Sequence, residues 1–135
     1  MGVLANQDDV VRQLLWVGGG GFIGAIGRYL LGGWVHRLLP AAHFPWGTLA
    51  VNVAGCLLIG LLAGLADVRQ LFSPEARLFL LIGCLGGFTT FSTFGYETLA
   101  LARDAETFGA LANIALHVGA GLAAVWLGYV LARAW

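Results

Sequence analysis

Asn52 is set among Leu49, Ala50, Val51 and Val53, and its carboxamide must find partners in apolar surroundings. It can bond across to a neighbouring helix, or it can offer its NH2 to a passing anion. A second polar group follows the pair Gly86-Gly87: Thr89, Thr90, Ser92 and Thr93 place four hydroxyls within five residues. Adjacent glycines loosen a helix, and hydroxyls can take over backbone hydrogen bonds that are lost. A break of this kind leaves carbonyls and amides unpaired, and in a membrane it survives only where it is buried or lines a cavity. Broken helices at the midplane hold ions in many transport proteins. The competing reading is a kinked but continuous helix.

Phe88, Phe91 and Phe94 recur at a spacing of three and share roughly one helical face. They can be packing residues. They can also turn their electropositive ring edges to a small anion that has shed its water. Asn113 and His117, four apart, present polar groups on one face, suited either to a helix-packing hydrogen bond or to a pathway, and His117 can titrate. Arg28 lies about 14 residues into an apolar run, roughly 21 Å along at helical rise. From there it can snorkel to the far interface, hold a neighbouring helix or draw anions into a vestibule. Glu97 reads as an acid near a helix end, in contact with water.

The elements that must position these groups follow from the apolar runs. The chain has 135 residues, 59% of them hydrophobic and 10% charged, against about a quarter charged in soluble domains. No charged residue falls between Arg37 and Asp67, between Arg77 and Glu97, or between Glu106 and Arg133. A further apolar run from about Leu14 to Val35 is interrupted by Arg28 alone. A spanning helix needs roughly 20 apolar residues. The pattern predicts an all-α membrane protein of one domain, with helices over about 14–37, 45–65, 74–103 and 108–135. The third is expected to be broken near mid-membrane at the glycine–hydroxyl segment. Before the first helix, residues 4–15 suit an amphipathic turn or two at the interface. Pro45 suits a first helical turn, and Ser73-Pro74-Glu75 reads as cap, first position and first-turn acid. Trp34, Trp46, Trp126, Tyr129 and Trp135 fall towards helix ends, where interfacial rings are favoured.

Several functions are disfavoured. Net charge is zero, all seven basic residues are arginines, and none forms a patch for nucleic acid. Cys56 and Cys84 lie inside apolar spans and read as packing thiols. Most of the 21 glycines suit close helix packing in lipid. The match Gly19 to Gly24 to a dinucleotide fingerprint follows no strand and has no acid downstream in a second one. His36 and His43 near the first loop make a weak ligand set, and no nucleophile–base pair points to an enzyme. With four spans, Arg12, Arg69, Arg77 and Arg133 share one side and Arg37 and Arg103 the other. So slight a bias suits a protein that inserts in both orientations.

Three ordered segments carry a resemblance: Gly20-Gly21-Phe22-Ile23-Gly24-Ala25-Ile26-Gly27-Arg28-Tyr29, Gly47 to Gly55 around Asn52, and Gly83 through Phe94. Together with the four-helix layout they resemble the bacterial Fluc/CrcB family of small fluoride channels over nearly the whole chain. The resemblance implies an antiparallel dual-topology homodimer in the bacterial plasma (inner) membrane, with two pores. It also implies a structural sodium ion (Na+) at the dimer centre, held by the backbone carbonyls of Gly86 and Thr89 from each subunit. By the same resemblance Phe91 and Phe94 match the pore aromatics, Asn52 the pore asparagine and Arg28 the vestibule arginine. Ser92 resembles a pore-facing residue and Thr93 shares its hydroxyl stretch. Asn113 and His117 fall on the polar track of the fourth helix, whose next positions here, Gly121 and Val125, carry no hydroxyl. The implied activity is passive fluoride export, relieving fluoride toxicity. Fluoride is strongly hydrated, and amide, hydroxyl, ring-edge and guanidinium donors would replace its water without a deep trap. The rival reading is a small four-helix dual-topology drug or cation antiporter, for which the first helix lacks an embedded acid.

Overall fold

The structure, a computed structural model, describes residues 6–40, 43–69 and 71–134; the first five residues of the leader, parts of the first two loops and Trp135 lie outside them. It is all helical among these residues. Helix α1 spans Gln7–Leu38, α2 Trp46–Arg69, α3 Pro74–Arg77, α4 Gly86–Phe88, α5 Phe91–Arg103 and α6 Thr107–Ala134. A π-helical segment, Leu78–Leu85, joins α3 to α4. Four runs are long and apolar enough to cross a membrane: α1, α2, the run Pro74–Arg103, and α6.

The ends of the helices follow local chemistry. Helix α1 starts at Gln7, seven residues before the apolar run, because Asp8 and Asp9 in its first turn complement the positive end of the helix dipole. The stretch expected as a separate interfacial turn is therefore part of one long helix from Gln7 onward. Ser73 caps α3 by accepting from Ala76 N–H at 3.2 Å, with Pro74 at the first helical position and Glu75 in the first turn. Arg12 on α1 meets Glu75 at 3.2 Å. Arg77 donates to the Ala66 carbonyl at 3.0 Å, satisfying one free acceptor near the end of α2.

Burial runs opposite to that of a soluble domain. Half of the buried apolar residues are alanines (Ala66, Ala110, Ala124 and Ala132), whereas Leu14, Phe22, Tyr29, Phe108, Leu122 and Trp126 are exposed. Such an arrangement offers its large apolar side chains to lipid and packs through backbone proximity. Two parallel helix pairs show how. Helix α1 packs on the π-helical segment and α4, and α2 packs on α6. A Cβ at Gly24 would overlap the Cys84 carbonyl, and one at Gly83 would sit 2.8 Å from Gly20 Cα. On the other pair, a Cβ at Gly60 would overlap the Val125 carbonyl and one at Gly128 the Leu57 carbonyl. Helix α5 lies against α6 and leaves its other side uncovered, with Phe91 81% and Tyr96 70% exposed.

Candidate ion-binding site

Helix α4 ends at Phe88. Thr89 (φ -84°, ψ 157°) and Thr90 (φ -150°, ψ 114°) are extended, and α5 begins at Phe91. The backbone here has no strand to pair with, so its polar groups must find other partners. Asn52 supplies two of them. Its Nδ2 donates to the Thr90 carbonyl at 3.1 Å and its Oδ1 accepts from the Thr90 N–H at 2.9 Å. The carboxamide thus clamps one extended residue from both sides, and its second N–H remains free for another acceptor. Both roles considered for Asn52 are therefore compatible in one residue.

The diverted bonds leave particular carbonyls without their helical donors. In a continuous helix the Thr90 N–H would donate to Gly86 O; here it goes to Asn52. The Thr93 N–H, which would reach Thr89 O, instead meets Thr90 Oγ1 at 3.3 Å. The Gly86 and Thr89 carbonyls thus each lose a helical donor to a side chain, in a turn where those of Gly87 and Phe88 also precede the first N–H groups of α5. Gly86 is exposed, and nothing lies within 4 Å of a Cβ placed on it. Thr90 caps α5 and its Oγ1 also lies 3.2 Å from Ser92 Oγ and 3.1 Å from Thr93 Oγ1.

A cavity of about 420 Å3 opens beside this segment. It brings together seven of the polar, glycine and aromatic residues singled out in the sequence: Asn52, Gly86, Thr89, Thr90, Phe91, Phe94 and His117. The rest of its wall is largely apolar. Phe91 and Phe94 stand with centroids 5.4 Å apart and planes at 53°. The His117 ring lies 4.4 Å from that of Phe94. Ser92 and Thr93 are exposed on α5 outside this wall, and Arg28 is half-buried on α1, also outside it. Asn113 is fully buried and does not line the cavity; its Nδ2 donates to Thr98 Oγ1 at 2.8 Å, and its carbonyl meets His117 Nδ1 at 3.0 Å. The His117 ring is thus held by the main-chain carbonyl of residue 113, while the Asn113 side chain turns to Thr98 and its Oδ1 is buried with no partner among the described residues.

Glu97 differs from its expected solvated setting. It is half-buried, Thr48 Oγ1 donates to its Oε1 at 2.7 Å, and its Oε2 is buried without a hydrogen-bond partner among the described residues. Thr48 and Thr98 were missed as site-supporting residues. The signal for Thr48 was a hydroxyl four residues before Asn52, on the same helical face. Gly121 and Val125, the positions without hydroxyls on α6, turn to α2: a Cβ on Gly121 would stand 3.5 Å from Cys56 Sγ, and the Val125 carbonyl faces Gly60. They are packing positions, which accounts for their lack of polar groups.

The arrangement is that of a four-span membrane protein with a largely apolar, aromatic-lined cavity beside the extended residues Thr89 and Thr90. The chain matches the model of the CrcB-like protein, Camphor Resistance (CrcB), family over residues 15–129. It is 52% identical over 113 residues to a fluoride-specific ion channel FluC of Geobacter sulfurreducens, covering 84% of this chain and 90% of that one. It is 46% identical over 125 residues to a FluC of Rhizobium meliloti, covering 92% and 98%. A third FluC, of Geotalea uraniireducens, is 45% identical over 92% of this chain and 99% of its own. The chain belongs to the CrcB family, a family of fluoride channels and not of enzymes.

Proposed function

We propose that this chain forms a fluoride-selective channel that lets fluoride leave the cytoplasm passively across the bacterial plasma membrane, working as an antiparallel homodimer with two pores. The observation that carries the reading is the cavity lined together by Asn52, which has one amide N–H not used on Thr90, and the Phe91–Phe94 pair, beside the extended residues Thr89 and Thr90. Amide hydrogens and ring edges are the donors a strongly hydrated anion needs in place of water, and neutral donors bind without trapping. The amino end of α5, whose first N–H groups have no intrahelical partner, adds a positive dipole end beside them.

The dimer is supported by the uncovered side of α5. Phe91, Ser92, Thr93 and Tyr96 are all exposed there in the single chain. Three of these are polar or carry a hydroxyl, a poor face to offer to lipid tails and a suitable one for a second copy. The near-balanced arginines suit insertion in opposite directions.

The Gly86 and Thr89 carbonyls fit a hard cation such as sodium. Both have lost their helical donors, they lie at the negative end of the preceding helical run, and oxygen donors suit such an ion. A sodium ion bound there would supply fixed positive charge that holds two breaks together. Passage of fluoride itself is assigned to Asn52, Phe91 and Phe94, with Arg28 drawing anions towards the entrance.

The test is efflux from liposomes. Purified protein reconstituted at low density should release trapped fluoride within seconds of adding a potassium ionophore, with little chloride release. No fluoride release from protein verified as dimers would refute the reading.

A further inference from the structure

His117 lines the cavity next to Phe94, and its ring orientation determines which nitrogen can carry a proton. Nδ1 lies 3.0 Å from the Asn113 carbonyl. A carbonyl only accepts, so Nδ1 holds a hydrogen. A neutral imidazole has one N–H, and Nε2 is then a bare lone pair. Nε2 is buried, with no hydrogen-bond partner among the described residues. In this state it is an acceptor and repels an anion. A second proton turns the same atom into a positively charged donor. The Phe94 ring, its centroid 4.4 Å away and its plane tilted by 39°, is within the range at which an aromatic ring can stabilise such a charge.

The groups around His117 come from two helices besides its own. Helix α2 presents Cys56 to the same cavity. Helix α5 carries Glu97, tied to Thr48, and the exposed Tyr96. Asp67 and Arg69 belong to the last turn of α2, Arg103 to the last of α5, and Arg133 on α6 lies over Tyr129. Glu97 is thus the acid on the α5 face nearest Phe94, and when ionised it would favour the charged imidazole.

We infer, on the basis of the fluoride pathway proposed above, that His117 is a proton-controlled anion donor: fluoride passes readily when Nε2 is protonated and poorly when it is not. Conduction in this protein then rises as pH falls. The main-chain carbonyl of Asn113 fixes the tautomer, and Phe94 lies against the ring.

The test uses the full-length protein in liposomes, in a His36→Gln/His43→Gln background, with equal pH on both sides and protein-free liposomes subtracted. Fluoride efflux should be about tenfold faster at about pH 5.5 than at about pH 8, the interval over which an ordinary imidazole gains its charge. His117→Gln, which offers an N–H at every pH, should lose that dependence. Equal rates at both pH values in the parent protein would overturn the inference and leave the channel standing. A pH slope that survives in His117→Gln would overturn it as well. Failure to pass fluoride at any pH would instead sink the channel reading beneath it. An NMR titration of the His117 ring is independent of flux and of the variant's folding. Reciprocal linkage requires added fluoride to move the midpoint upward, by about half a pH unit or more, and an unmoved midpoint rejects the inference.

Discussion

Asn52 illustrates how far a single residue's chemistry can be read ahead of its geometry. An amide in an apolar run announces that it must be satisfied, but the sequence does not say by what. The structure shows both partners to be the peptide groups of Thr90. Asn52→Ala therefore strands a half-buried N–H and carbonyl, at up to about 1–3 kcal/mol for each unsatisfied group. Fluoride efflux should fall more than about tenfold, the factor that 1.4 kcal/mol corresponds to, and unfolding in detergent should shift to lower temperature. Asn52→Asp keeps the acceptor but turns the donor into a second acceptor facing Thr90 O; it should fold better than the alanine variant and conduct no better. Glu97 was misjudged for a physical reason. Its place in the second half of the third run suggested a solvated position near the helix end, but Thr48 approaches from α2, and only tertiary packing brings those two together.

Among the helices, features set by near neighbours were legible and the π-helical course was not. Ser73, Pro74 and Glu75 act through neighbours within one turn, so their role could be read locally. The π-helical course of Leu78–Leu85 has no such local signature. It coincides with the stretch where Gly83 meets the α1 backbone, a contact set by the partner helix. The glycine seams give a graded prediction. Gly128→Ala forces a Cβ onto the Leu57 carbonyl and should destabilise by about 1–3 kcal/mol, the usual range for overpacking. Gly119→Ala on the same helix meets nothing within 4 Å and should be neutral or slightly stabilising, given alanine's higher helix propensity. Thermal unfolding of the two variants side by side checks this. Between α5 and α6, Ala105 adopts φ 61°, a left-handed conformation that costs a non-glycine residue about 1–2 kcal/mol. Ala105→Gly should raise the melting temperature without altering flux.

For the molecule as a whole, the sequence conveyed span number through charge-free runs, and it conveyed assembly only through the resemblance and the weak arginine bias. The exposed side of α5 adds a physical reason for a partner. Under the antiparallel proposal, an Asp104→Cys probe in a Cys56→Ala/Cys84→Ala background should be labelled about half by an impermeant maleimide in intact cells, since charge bias over short loops alone sets orientation. Complete or absent labelling would show a single orientation. Prolonged dialysis against a large organic cation in place of sodium should weaken dimers held through the Gly86 and Thr89 carbonyls, as read by size-exclusion chromatography, and sodium should restore them. Unchanged dimers after complete sodium removal would reject that ion's structural role.

The clamp on Thr90 also bears on biosynthesis. Asn52 precedes Thr90 by 38 residues and leaves the ribosome first. Its carboxamide is already in the bilayer when the extended residues arrive, so a span that would be unfavourable on its own meets its donor and acceptor on entry. Order of synthesis is then part of how the chain reaches its fold. A circular permutant that places α2 after α6 would deliver the interrupted span before its clamp, and should insert less efficiently even though every final contact is retained.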